Sequence, residues 1–260
     1  MTAETDGDVV LAARNLSKEF RGHAAVSGVN LDVRRGSIHA LIGPNGAGKT
    51  TVFNLLTKFM KPTAGSIRFQ GRDVTASQPA ALARLGLVRS FQISAVFGRL
   101  SVRDNLRIAL QRPQVSPLRV WAGKPAADLA RRIEALLCEV DLTAFADRRA
   151  GDLPYGRKRA LELATTIAAG PTVMLLDEPT QGLGHEDVDR VTDLLKRLSA
   201  GRTVLMVEHN MRMVARIADR ISVLRRGEII AEGSYAEVSR DPDVIEAYLG
   251  SAARSAAVPS

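Results

Sequence analysis

"LIGPNGAGKTTVFN", residues 41–54, places three glycines, a proline and a lysine inside an otherwise apolar run. Glycine in a structured segment costs roughly 0.5–1 kcal/mol per position through lost backbone freedom, so three of them need a reason. The run before them, "SIHALIG" (37–43), is short, β-branched and apolar, the pattern of a buried parallel strand. After them, "KTTVFNLLTKFM" sets Val52, Leu55, Leu56 and Phe59 at helical spacing, and this predicts a helix over 49–60. Pro62 and Gly65 stop it. Strand, glycine loop and helix in that order, with Gly43, Gly48, Lys49 and Thr50 in the spacing GxxxxGK[ST], form a phosphate-binding loop. Consecutive main-chain N–H groups and the positive end of the helix dipole make a nest for an anion. Side chains at the glycines would obstruct the approach of phosphate. The candidate nucleotide-binding residues are Asn45, Gly46, Ala47, Gly48, Lys49, Thr50 and Thr51, with the Lys49 ammonium on the β- and γ-phosphates and the Thr50 hydroxyl on Mg²⁺.

A nucleoside triphosphate site also needs a carboxylate on the metal and a group to orient water. "TVMLLDEPT" (172–180) ends an apolar strand in Asp177 and Glu178, at the end where parallel α/β sheets bind ligands. Asp177 is the candidate metal ligand, through water, and Glu178 the candidate base for the attacking water. "TVLMVEHN" (203–210) ends in Glu208 and His209, and His209 is the candidate γ-phosphate contact. "GLVRSFQI" (86–93) reads as a further strand that delivers Gln92 to Mg²⁺ or to the attacking water.

The whole chain bounds these readings. It has 260 residues, 45% of them hydrophobic, enough for one large domain with a real core. Its longest apolar runs fall far below the roughly 20 residues that cross a bilayer, and "MTAETDGDVV" has neither the basic start nor the apolar stretch of a signal peptide. The expectation is a cytoplasmic protein. The single cysteine, Cys138, lies in "IEALLCEV" and is expected as a packed core thiol. Residues 84–132 carry ten Lys and Arg against Asp104 and Asp128 alone, a local excess equal to the net +8 of the chain. Such a segment suits either an anionic partner, such as a membrane surface or nucleic acid, or a solvated helical face.

The order of these pieces resembles the ATP-binding subunits of ABC transporters. "GPNGAGKTT" is similar to their Walker A loop, "SFQ" to the Q-loop, "LLDEPT" to Walker B with its catalytic glutamate, and "VEHNM" to the H-loop, over residues 9 to about 250. The resemblance implies an α/β fold: a P-loop NTPase (RecA-like) core with an antiparallel β subdomain and a helical insertion. The expected single domain, 1–250, divides into a core (1–92 and 169–250) and a helical subdomain (93–168), with 251–260 a disordered tail. "VVLAARNL", "VNLDV", "SIRFQ", "ISVLRR" and "EIIAEG" read as short antiparallel strands. Phe20 is the residue the resemblance implies for stacking on adenine.

The signature motif of that family, LSGGQ, corresponds to "LPYGRKRALELA" (153–164), with Pro154, Tyr155 and Arg157 departing from the pattern and Gly156 retained. In the family this motif touches the ATP of the second subunit, so Pro154, Tyr155, Gly156 and Arg157 are expected to face a partner's nucleotide. The "YG" form followed by "R-LE-A", together with "KPTAGSI", "PTQGLGHED" and "DPDVIEAYLG", resembles the branched-chain amino acid importers of the LivG-like type. His185, in "PTQGLGHED", is expected at the subunit interface. The resemblance implies ATP and Mg²⁺ as cofactors and hydrolysis as the reaction. Its implied partners are a second ATPase subunit (the same or a sister chain), transmembrane permease subunits and, indirectly, a periplasmic binding protein. The implied location is peripheral, on the inner face of the cell membrane.

Related systems export lipopolysaccharide or import urea and amides, and these cargoes stay open. An ABC protein acting on nucleic acid, a metabolic kinase and a non-hydrolysing binder are the other readings. Nucleic acid is not expected as a partner, because aromatics are 4% of the chain and no second cassette is present. The Pro154 departure removes a serine–phosphate hydrogen bond worth on the order of 1.5–3 kcal/mol. Pro154→Ser should therefore raise ATP turnover; an unchanged or lower rate counts against that role.

Overall fold

The structure is a computed structural model and describes residues 8–90, 96–111 and 126–255. Two sheets organise it. The first is antiparallel, in the order β2 (His23–Arg34), β1 (Val9–Phe20), β4 (Ala64–Phe69), β5 (Arg72–Asp73). The second has the order β10 (Glu228–Gly233), β9 (Arg220–Arg225), β3 (Ile38–Ile42), β8 (Thr203–Val207), β7 (Val173–Asp177), β6 (Leu87–Ser90). Neighbours from β9 to β6 are parallel, and β10 closes the edge antiparallel. The expectation that "ISVLRR" is an antiparallel strand holds only towards β10: on its other side β9 runs parallel to β3, inside the parallel sheet.

Alternation along the buried strands feeds two cores. Ile38, Ala40 and Ile42 with Met174, Leu176, Val204 and Met206 join one apolar cluster, together with α3 (Val102–Gln111), α4 (Ala126–Glu139) and α5 (Tyr155–Ala168). Leu41, Leu175, Leu205 and Val207 join the other, with α1 (Lys49–Leu56) and the antiparallel sheet. This is the period-two rule of a strand buried on both faces. The helices α3 to α5 lie in the interval expected as a helical insertion.

The predicted helix over 49–60 is shorter. α1 ends at Leu56: Lys58 adopts φ +63, and the Met60 N–H returns to the Asn54 carbonyl at 3.0 Å. Phe59, expected on the buried stripe, is 55% exposed. Val52, Phe53, Leu55 and Leu56 are fully buried, and at about 2 kcal/mol each they outweigh the backbone cost of the glycines before them. Cys138 is exposed as well. The apolar stripe of α4 runs through Ile133, Leu136 and Leu137, and Cys138 falls one position past it. The closing helix α9 (Pro242–Ser255) runs five residues into the expected tail.

His39, on β3, is fully buried; its Nε2 lies 2.8 Å from the Ser222 hydroxyl and 3.7 Å from Glu232. Burial pushes its pKa down to about 4; Arg220 adds to the shift, while Glu232 and Asp32 oppose it. Above the ordinary value of 6.5 the ring is neutral folded and unfolded. As pH falls from 6.5 towards 4 only the unfolded chain takes up the proton, so stability is lost across that window, by about 3 kcal/mol. Urea denaturation at pH 7 and pH 4.5 should show this loss, and His39→Leu should show correspondingly less. Identical pH dependence of the two proteins would contradict the assignment.

Candidate nucleotide site

The phosphate loop joins β3 to α1, and two of its glycines answer to the protein itself. Gly43 has φ +149, and a Cβ there would lie 2.1 Å from the Leu224 carbonyl oxygen of β9. Gly48 has φ +103, and a Cβ would lie 2.6 Å from the Ala25 carbonyl oxygen of β2. Gly46, with φ +78, faces nothing within 4 Å. The sequence reading explained all three by the approach of phosphate. At Gly43 and Gly48 the tighter constraint is neighbouring main chain; only Gly46 opens onto free space. The loop is stitched to both sheets: Gly227 N–H donates to the Ala47 carbonyl (2.8 Å) and Ser27 N–H to the Gly227 carbonyl (2.9 Å). This brings the β1–β2 hairpin, with Phe20 at the end of β1, towards the loop. Phe20 is 44% exposed, with the Lys18 ammonium 5.3 Å from its ring centre.

Asn45 and Thr50 are exposed, Thr51 is half-buried and Ala47 buried. Lys49 is buried and donates to the Gly43 (2.6 Å) and Pro44 (3.0 Å) carbonyls. Burial holds its pKa below the usual lysine range, and the Glu178 carboxylate pulls the other way. Glu178 and Lys49 are thus electrostatic neighbours although 129 positions separate them.

Asp177 is the last residue of β7 and Glu178 follows it in the left-handed region, φ +45, its N–H donating to the Val207 carbonyl at 2.9 Å. His209 stands just past β8, 56% exposed, with Nδ1 3.8 Å from Glu178 Oε1. The two candidate catalytic groups therefore meet. Gln92 lies outside the described residues.

Three supporting residues were not singled out from sequence for these roles. Glu208 is fully buried and accepts four hydrogen bonds: from the Thr180 N–H (3.1 Å), the Thr180 hydroxyl, the His209 N–H (2.7 Å) and the Asn210 N–H (3.1 Å). It ties the segment after Glu178 to the one carrying His209. Arg89 on β6 pairs with Asp177, which is 3% exposed, and donates to Asn54 Oδ1 on α1 at 2.7 Å. Arg159 on α5 reaches the carbonyls of Asp177, Glu178 and Pro179. Glu208 lies in "VEHNM" and Arg159 in "R-LE-A", but no local pattern says which groups either one meets, and Arg89 has no motif at all.

The signature residues open α5. Pro154 is its N-cap and offers no side-chain cap. Tyr155 is exposed, its hydroxyl 3.3 Å from the Gln181 carbonyl. Gly156 is buried, and a Cβ there would lie 2.5 Å from the Asp187 carboxylate, the end of a side chain that can swing aside. Arg157 donates to the Asp141 carbonyl at 2.7 Å and stacks 5.2 Å from the Phe145 ring centre. His185 begins α6 (His185–Leu198) and is exposed.

The basic segment is partly neutralised where described. Arg103 pairs with Glu134 and Asp147, Arg107 with Asp104, and Arg131 with Asp128. Two of these partners, Glu134 and Asp147, lie outside the 84–132 window.

Known proteins of similar sequence and fold give the family of the chain. The family model described as ABC transporter matches residues 26–181, and the one described as branched-chain amino acid ATP-binding cassette transporter matches 228–254. The high-affinity branched-chain amino acid transport ATP-binding protein BraF of Pseudomonas aeruginosa is 39% identical over 94% of this chain and 98% of its own. LivG of Salmonella typhimurium, of the same description, gives the same three values. A crystal structure of the ADP conformation of an ATP-binding cassette of an ABC transporter is similar with a TM-score of 0.82 at 32% identity, covering 93% of this chain and 99% of that one.

Arg89→Met should strand the buried Asp177 carboxylate without a counter-charge and lower stability by about 3–5 kcal/mol, with Asp177→Asn in the same background restoring much of it. A loss below about 1 kcal/mol in chemical denaturation, the scale of a surface pair, would show that the pair is not a buried one.

Proposed function

This chain belongs to the ATP-binding proteins of ABC transporters, and from that premise we propose that it hydrolyses ATP·Mg²⁺ to drive import of branched-chain or related amino acids. One observation carries the hydrolytic part: Lys49, Asp177, Glu178 and His209 gather at the C-terminal ends of β3, β7 and β8, with His209 3.8 Å from Glu178 and the Glu178 charge acting on Lys49.

The residues have distinct tasks in this reading. The main-chain N–H groups of 46–51 and the Lys49 ammonium bind the phosphates. Phe20 supports the adenine. A Mg²⁺ ion fits Thr50 and Asp177, because this metal takes one or two carboxylates together with substrate phosphates and water, and no cage of three or more His, Cys, Asp or Glu exists among the described residues. When bound, the metal draws charge from the phosphates. Gln92 completes that set. Glu178 accepts the proton of the attacking water, and His209 contacts the γ-phosphate side of the site. Glu208 holds the two catalytic segments in register.

Pro154, Tyr155, Gly156 and Arg157 face the ATP of a second cassette, and two chains close over two nucleotides. ATP shifts that equilibrium because it touches both halves. The partners are a second ATPase subunit, permease subunits in the membrane and, through them, a periplasmic binding protein. In this reading the chain works on the cytoplasmic face, docked on its permease partners, as a subunit like the transport ATP-binding proteins it resembles would. The cargo rests on the relatives named above and on the C-terminal match over 228–254.

Glu178→Gln should reduce turnover by about a hundredfold or more, the usual share of a general base, and leave an ATP-bound dimer that persists in size exclusion. Full turnover in this variant, or a purified chain indifferent to ATP·Mg²⁺, rejects the reading. For the cargo, cells lacking the chain should lose uptake of labelled leucine; unchanged uptake of leucine, isoleucine and valine points to a related amide.

A further inference from the structure

Arg159 lies in the second turn of α5, with its side chain only 11% exposed. Its Nε donates to the Pro179 carbonyl at 2.9 Å, and its Nη2 lies 3.2 Å from the Glu178 carbonyl and 3.3 Å from that of Asp177. Its Nη1 donates to the Glu162 carboxylate, one turn further along α5, at 2.6 Å. One guanidinium therefore gathers three successive main-chain carbonyls. In an extended strand successive carbonyls alternate in direction, so the fan requires a turn. The turn is made at Glu178, whose φ of +45 is costly for a residue with a Cβ. Glu162 balances the charge and fixes the plane of the fork. Two further contacts join the same helix to the same segment: the Tyr155 hydroxyl to Gln181, and Gly156 against Asp187.

We propose that Arg159 is a positioning residue for Glu178: it holds the left-handed main chain that presents the Glu178 carboxylate beside His209. The helix that carries the signature thereby sets the hydrolytic geometry of its own chain. This rests on Glu178 as the base. A shift of α5 on meeting a second subunit's nucleotide would be felt at Glu178 through a rigid, buried fork and not through the phosphate loop. Lys49 and its loop bonds do not involve Arg159.

The test is steady-state ATP hydrolysis by the full chain with Arg159→Met, Arg159→Lys and Glu178→Gln, alongside thermal unfolding and binding of a fluorescent ATP analogue. Arg159→Met should lower kcat at least tenfold with KM for ATP and analogue affinity within twofold of the parent. Arg159→Lys keeps the charge but not the fork and should recover only part of kcat. If Glu178→Gln is inactive while Arg159→Met keeps kcat within twofold, the positioning role is overturned and the base stands. A rise in KM at unchanged kcat overturns it equally. If Glu178→Gln retains full turnover, the base assignment fails first. Should Arg159→Met not fold, Arg159→Lys decides: a lowered kcat at constant KM supports the role, and an unchanged kcat overturns it.

Discussion

A Cβ at Gly43 would lie 2.1 Å from the Leu224 carbonyl oxygen, and one at Gly48 would lie 2.6 Å from that of Ala25. No side chain fits either gap. The loop from β3 to α1 is thus wedged between β9 on one side and the start of β2 on the other, and it can be built only where two glycines permit that approach. Everything in the site follows from this wedge. It directs α1 so that Phe53, Leu55 and Leu56 seal the core beneath it, and it places Lys49 where burial and the Glu178 carboxylate act on its ammonium together. The antiparallel sheet is joined to the parallel one at the same place, through Ala47, Gly227 and Ser27.

The second organising feature is the handling of buried charge. A carboxylate taken out of water without a partner is costly, and each one here is answered from another element. Asp177 is met by Arg89 from β6, and Glu208 by four donors from two loops. Arg159 is answered by Glu162 and three carbonyls. These contacts cross between strands and between sheet and helix, so they couple Asp177, Glu178 and α5 into one mechanical unit. The outer basic segment behaves differently. Apart from Arg89, its described pairs are mostly solvent-exposed and worth about 0–1 kcal/mol each; they do not fix the site.

The sequence alone pointed to the candidate chemistry. Lys49 and Thr50 were legible from a glycine loop between strand and helix, and Asp177, Glu178 and His209 from the ends of short apolar strands, all written in local spacing. The parallel core of β3, β6, β7 and β8 followed from the same signal. Tertiary structure alone decided what supports that chemistry. Arg89 and Asp177 are 88 positions apart, and Thr180 and Glu208 are 28; nothing in the residues near an arginine or a glutamate says which distant charge will neutralise it. α1 stops at Leu56 although the apolar pattern runs on to Phe59, because Lys58 turns left-handed and ends the helix. Cys138 faces solvent because the stripe of α4 is set by what lies beneath it, one position away from where composition alone would put a thiol. Periodicity records what a segment does by itself; close approach, buried charge and register depend on which segments the fold sets side by side.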